Sequence, residues 1–400
     1  MKISKFIPMK KELEFPQGFL WGAACSSYQV EGGIENCNWS EKFPAGKACD
    51  YWNRYEEYFD VAEELNQNVH RLSLEWSRIE PEEGKFDREA IEHYKKMLKS
   101  LKKRKIKTMV TLWHSTNPTW LSEKGGWANF KTPGHFQNYV AFAVKELNPY
   151  VDFWLTINEP MISCSHPYLI GKFPPQKKLD FIGCAKAVFN FGQAHKKAYG
   201  VIKSIAPTAK VGMAENYSFV EAYDKESPFN NVVVSVWNFV RNQMLLEYTK
   251  KEQDFLGVNY YFHEKIRTEK RFPFISVQND NKKISDLGVE IYPSALYEVI
   301  KDMKKYNLPI YITENGIADR GDKYREAFIK EHLKVVHKAI KEGADVRGYL
   351  YWSLLDNFEW ADGYGPRFGL VEMDYENMTY KIRPSAYKYA EICKENKLIL

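Results

Sequence analysis

Eight short apolar runs recur along the chain, and several are followed by a stretch with helical period. The runs begin at residues 19, 69, 106, 152, 210, 254, 309 and 346, so successive starts lie 37 to 58 residues apart. FLWGAACSSYQ, VHRLSLEW, IKTMVTLWH, DFWLTINEP, KVGMAENY, DFLGVNYY, PIYITENG and VRGYLYWSLLD all have strand length. They are near-continuous in apolar character and bounded by turn residues, as strands buried on both faces of a parallel sheet are. KVGMAENY is the weakest of the eight, and residues 218–251 after it resist assignment.

The intervening stretches include clear amphipathic helices. Tyr55, Tyr58, Phe59, Ala62 and Leu65 share one face, as do Ile91, Tyr94, Leu98 and Leu101. Asp87 stands where an N-cap belongs. A further helix is expected over residues 324–342, with Phe328, Leu333, Val336 and Ile340 inward, and a last one after Pro384, a residue suited to a first helical turn. Strand and helix alternating eight times specify an α/β fold, a (β/α)8 TIM barrel. A bare βα unit needs about 30 residues, so the surplus lies in loops. With no Gly/Ser linker or low-complexity tract, residues 1–400 read as a single barrel domain with its active site at the C-terminal face of the strands.

Charge and cysteine content narrow the function. There are 57 basic and 52 acidic residues, a net charge of +5 that is too balanced to argue for nucleic acid. The densest basic run, 95–107, also carries Met97, Leu98, Leu101 and Ile106 and reads as a solvated helix face. The six cysteines form no CxxC pair and no metal spacing with histidine, which favours free thiols in a reducing compartment. Residues 1–18 hold no run of roughly 7–15 apolar residues, so no signal peptide is expected. No stretch approaches the roughly 20 apolar residues of a membrane span. A soluble, cytoplasmic protein with no membrane partner is the expectation. Oligomeric state is not readable.

Polar residues collect at one end of the apolar runs. The first ends at Gln29 and Glu31, the second at Glu75, Trp76 and Arg78, the third at Trp113 and His114. Asn158 and Glu159 close the fourth, Asn259, Tyr260 and Tyr261 the sixth, and Glu314 and Asn315 the seventh. Trp352 closes the eighth, with Asp356, Asn357, Glu359 and Trp360 beyond it. In a closed barrel these groups converge on one mouth. Strands four and seven are three apart in an eight-fold ring, so Glu159 and Glu314 face each other across it. Two carboxyls flanking a small gap can divide the roles of acid and nucleophile in retaining glycoside hydrolysis. No GxSxG elbow, P-loop, Rossmann fingerprint or HExxH competes. His114 and His166 lack partners for a zinc site, so no metal and no cofactor is called for.

Six motifs carry a resemblance: SSYQVEGG (26–33), HRLSLEWSRIEP (70–81), TLWH (111–114), TINEP (156–160), ITENG (312–316) and WSLLDNFEWADGY (352–364). From about Phe15 to the C-terminus the chain resembles the family 1 glycoside hydrolases, the β-glucosidases and β-galactosidases. The resemblance implies Glu159 as general acid/base and Glu314 as nucleophile. It implies that Asn158 binds the sugar 2-hydroxyl and that Arg71 and Tyr261 hold and tune the nucleophile. Gln29, His114, Trp352, Glu359 and Trp360 resemble the set that grips the glycone, while Asn259, Trp113 and Phe368 fall at or near the mouth. Acid catalysis requires Glu159 protonated at neutral pH, a form that burial and a nearby negative Glu314 favour. Attack requires Glu314 ionised, and a cation such as Arg71 is expected to lower its pKa.

The implied activity is that of a retaining exo-β-glycosidase releasing terminal β-D-glucosyl, galactosyl or fucosyl units from small β-glycosides or oligosaccharides. A transglycosidase using the same residues, or a non-catalytic carbohydrate-binding barrel, are the alternatives. The intact Glu359-Trp360 pair favours an unphosphorylated glycone, since a carboxylate beside a phosphate repels it. Three departures from the family pattern stand out. Ser115 follows His114 where most members carry an aromatic residue. Met161 occupies the position where many place a tryptophan as a wall of the aglycone subsite. The chain is short, mainly between Pro160 and Gly257, from which a shallower, more open aglycone side is expected.

Aromatic residues number 11 Trp, 26 Tyr and 24 Phe, or 15% of the chain. Rings serve cores as readily as sugar platforms, so their placement, not their number, bears on function.

Overall fold

A computed structural model describes residues 11–268, 275–278 and 283–400, and in it each of the eight apolar runs supplies one strand. The strands are β1 (Leu20–Ala24), β2 (Val69–Ser73), β3 (Lys107–Trp113), β4 (Phe153–Asn158), β5 (Lys210–Asn216), β6 (Phe255–Asn259), β7 (Ile310–Asn315) and β8 (Val346–Trp352). They close into a parallel barrel in sequence order, β8 pairing with β1 through Gly348↔Leu20 to Trp352↔Ala24. The fold class read from the sequence therefore holds, including KVGMAENY, which forms all of β5. Of the N-terminal stretch read for a signal peptide, residues 1–10 lie outside the described residues.

The barrel is filled rather than hollow. Leu20, Val69, Met109, Phe153, Leu155, Ala214, Phe255, Tyr311 and Leu350 form one buried cluster. Most of them lie near the N-terminal ends of their strands, so the floor is apolar and the polar ends open opposite. A larger buried cluster lies between strands and helices, where the helical stripes dock. Helix Tyr51–Glu64 buries Tyr58, Phe59 and Ala62. Helix Arg88–Lys103 buries Ile91, Tyr94, Leu98 and Leu101, and its Asp87 cap accepts from the Glu89 and Ala90 amides at 2.8 and 3.0 Å. That bond pair satisfies donors a helix start leaves orphaned, worth about 1 kcal/mol. Helices Arg325–Lys341 and Pro384–Glu395 complete the expected set.

The unassigned segment resolves into a strand, Phe219–Ala222, a helix, Pro228–Asn238, a π-helical turn, Phe239–Gln243, and a second helix, Met244–Thr249. Its apolar run did not read as an inward stripe for a physical reason. Phe229, Val232, Val236, Phe239 and Val240 are exposed. Among the described residues no helix is long and apolar enough to cross a membrane. All six cysteines are free.

Candidate active site

The C-terminal ends of the strands enclose a cavity of about 210 Å³. Among the groups lining it are His114, Asn158, Glu159, Tyr261, Glu314, Trp352, Glu359, Trp360 and Phe368. Arg71, Asn259 and Gln29 stand behind that wall, fully buried. The residues that the family resemblance implies for catalysis and glycone binding thus gather around one mouth, in two layers.

Glu314 ends β7 and is 4% exposed. Arg71 donates from Nη1 to its Oε1 at 2.6 Å, and the Tyr261 hydroxyl donates to its Oε2 at 2.8 Å. The guanidinium is itself fixed on every side. Nε donates to Thr111 Oγ1 at 3.1 Å, Nη1 also to the Thr313 carbonyl at 3.1 Å, and Nη2 to Asn158 Oδ1 at 2.6 Å. The ITENG glycine brings β7 against β8, because a Cβ on Gly316 would lie 1.8 Å from the Trp352 carbonyl oxygen.

Glu159 sits just past β4 in the left-handed region, φ +46°, and precedes Pro160 of the helix Pro160–Ser165. A non-glycine residue held there costs roughly 1–3 kcal/mol, sustained by its surroundings. Its amide donates to the Ala214 carbonyl at 2.8 Å. Two carboxamides converge on Oε1: Asn216 Nδ2 and Asn259 Nδ2, both at 2.9 Å. Asn259 also donates to Asn158 Oδ1 at 3.0 Å and accepts from Thr313 Oγ1 at 2.7 Å. A continuous network therefore runs Glu314–Arg71–Asn158–Asn259–Glu159.

The network orients its members. Asn158 Oδ1 accepts from both Arg71 and Asn259, so its amide nitrogen faces His114 Nε2 at 3.1 Å. Burial and the Arg71 charge hold the His114 imidazole far below its ordinary pKa, so it is neutral. With Nε2 accepting, the ring proton sits on Nδ1, which is buried without a hydrogen-bond partner among the described residues.

The carboxyl energetics correct one expectation. Arg71 does pull the Glu314 pKa down, as does the Tyr261 hydroxyl, but burial outweighs both and pushes it up to about 7, the Glu159 charge adding to the rise. Burial also pushes Glu359 up to about 8, reinforced by the Glu314 charge. Gln29 reaches Glu359 Oε2 at 3.3 Å, and its Nε2 also serves the Asn357 side chain and the Phe358 carbonyl, both at 2.9 Å. The rings of Trp352 and Trp360 both lie parallel to His114, at 6.0 and 5.9 Å. Phe368 meets Tyr261 edge-on at 6.3 Å.

Other strand-end residues turn out to hold the scaffold. Glu75 accepts from Ser27, Ser77 and Thr116, and Glu31 pairs with Arg78 at 2.9 Å. Trp113 packs against Trp127 and Phe191, behind the cavity. Met161 is not a wall of this cavity. Ile162 and His166 line it, while Met161 turns to the opposite face of its helix, into an apolar groove with Phe181 and Trp237. Sequence reading missed Asn216, although its place at a strand end was the same signal that found the others. It also missed Arg241, whose Nη2 lies 3.3 Å from Asn216 Oδ1. Arg241 comes from the unassigned segment, where no local pattern marks it.

A filled parallel barrel with paired carboxyls and aromatic walls at its C-terminal mouth defines a class, the barrel glycosidases. The comparisons agree. The description "Glycosyl hydrolase family 1" matches residues 11–244 and 235–398. The chain is similar to the 1,4-beta-D-glucan glucohydrolase of Thermotoga neapolitana, 31% identical over 98% of this chain and 100% of that one. A beta-glycosidase from Pyrococcus horikoshii superposes with a TM-score of 0.92 at 35% identity, covering 97% of this chain and 96% of that one. The Thermotoga maritima beta-glucosidase in complex with glucoimidazole gives 0.90 at 30% identity, covering 96% and 99%. The chain belongs to glycosyl hydrolase family 1, and it is a β-glucosidase-like glycoside hydrolase.

Proposed function

We propose that Glu314 is the nucleophile and Glu159 the acid/base of a retaining exo-β-glycosidase acting on terminal β-D-glucosyl, galactosyl or fucosyl residues. The observation that carries this is the unequal tethering of the two carboxyls. Glu314 is buried and held by a cation and a phenol, donors that favour its anion. Glu159 is only partly buried, and both its carboxamide donors fall on one oxygen.

In the first step Glu314 attacks the anomeric carbon, the glycosidic C–O bond breaks, and Glu159 gives its proton to the departing oxygen. Once Glu314 is an ester its charge is gone. Glu159, now a carboxylate, takes a proton from water as that water attacks the same carbon and releases the sugar. Asn158 keeps one N–H beyond its bond to His114 for the 2-hydroxyl. Glu359, with Gln29 behind it, and His114 serve the other hydroxyls, and Trp352 and Trp360 offer flat faces to the ring. Phe368 braces Tyr261. Small β-glycosides are the expected ligands, bound by one barrel unit over residues 1–400. The free cysteines support a cytoplasmic setting.

Azide rescue tests the roles. Glu314→Gly is expected to lose turnover and, with azide, to form the α-glycosyl azide. Glu159→Ala is expected to give the β-azide from activated aryl glycosides. A β-azide from the Glu314 variant contradicts the nucleophile assignment.

A further inference from the structure

A second cavity, of about 700 Å³, adjoins the mouth and shares Ser115 and Phe173 with the active-site cavity. Trp39, Trp127, Tyr168 and Phe173 line it, with Asn38 and Asn117 among them. Trp39, Trp127 and Tyr168 are almost fully buried and form its back, while Phe173 and Asn38 are only partly buried, an apolar ring and an amide that a sugar can reach for its flat face and its hydroxyls.

Trp39 ties the two spaces together. Its indole N–H donates to the Ser115 carbonyl at 3.0 Å, and its ring lies 4.7 Å from Trp360 and 4.9 Å from Phe173. Ser115, at φ +67°, places a small side chain on the shared boundary where an aromatic one would fill it. Trp127 is 3% exposed and stacks on Phe191 at 4.0 Å, so it forms the back of the cavity.

We infer that this cavity is a second sugar subsite, occupied by a sugar unit attached to the glycone, so that the enzyme releases intact disaccharides as well as single sugars. The inference rests on the glycosidase reading above. The chemistry is unchanged. The bond from the inner sugar's anomeric carbon to the aglycone oxygen breaks, one water is consumed, and the bond between the two sugars survives.

The test is initial product analysis with p-nitrophenyl β-sophoroside, β-laminaribioside, β-cellobioside and β-gentiobioside beside the simple β-glucoside. From at least one of the four, disaccharide and p-nitrophenol are expected in equal amounts from the first turnover, without glucose. Ser115→Trp is expected to lower kcat/KM for that substrate at least tenfold relative to the glucoside. Phe173→Ala, which removes the partly exposed ring on the shared boundary, is expected to raise KM for the disaccharide glycoside more than for the glucoside. Glucose as the first sugar from all four, or ratios unmoved in both variants, overturns the second subsite. Failure to cleave the simple β-glucoside, β-galactoside and β-fucoside alike would overturn the glycosidase reading instead.

Discussion

Tyr261→Phe isolates one contribution to the charge on Glu314. The substitution removes a single O–H, the donor 2.8 Å from Glu314 Oε2, and leaves Arg71 on the other oxygen. The ring that meets Phe368 stays, so packing is conserved. A hydrogen bond to a charged acceptor is worth about 1.5–3 kcal/mol. At about 1.36 kcal/mol per pH unit, its loss raises the Glu314 pKa by about 1–2 units. From a starting value of about 7, the ionised fraction at pH 6 falls about 10- to 100-fold, and the loss shrinks as pH rises. The assay is kcat/KM for 2,4-dinitrophenyl β-glucoside from pH 5 to 9, a substrate whose leaving group needs little help from an acid. The acid limb is expected to move up. A loss equal at every pH, with the limb unmoved, refutes the reasoning and leaves Tyr261 as a wall of the cavity.

Asn216→Ala removes one of the two donors on Glu159, and is expected to slow a phenyl β-glucoside about tenfold while sparing the dinitrophenyl glucoside. Equal loss on both would show that Asn216 does not act through Glu159. Stability should depend on pH through two opposed sets. Burial lowers His70 to about 3 and His166, His195 and His332 to about 4, so stability rises with pH until these groups are neutral in the unfolded chain near pH 6.5. Burial raises Glu31 and Glu314 to about 7 and Glu215 and Glu359 to about 8. Their folded state binds the extra protons, so stability is lost as pH climbs from the unfolded carboxyl value through 7–8. Above pH 6.5 the histidines no longer contribute, and the unfolding midpoint is expected to fall toward pH 8. A midpoint still rising there would contradict the burial of these carboxyls. Gly316→Ala forces a Cβ into the Trp352 carbonyl and is expected to cost at least about 1–3 kcal/mol in chemical denaturation. A neutral result would mean that β7 and β8 can separate at the mouth.

Runs of strand length at regular spacing, with helical stripes between them, were enough to specify a parallel barrel. Each barrel strand is buried on both faces and the helices of the expected set on one, and burial is written in local composition. The same locality exposed the strand-end residues, since a polar group closing an apolar strand stands out in any eight-residue window. Locality also set the limit. Whether Glu75 caps a helix or faces a substrate depends on which hydroxyls arrive from residues 27 and 116, and Met161 and Ile162 differ only in which face of a short helix each takes. Asn216 and Arg241 meet near Glu159 because β5 and a segment without a readable period pack together. The net pKa of Glu314 followed the depth of the mouth rather than the sign of its neighbour. The sequence by itself determined the barrel, its polar rim and the pair of glutamates. Only the tertiary structure decided which rim groups face the cavity, how each carboxyl is tethered, and that a second aromatic cavity opens beside Ser115. Those properties are set by distances between residues far apart in the chain, which no local pattern encodes.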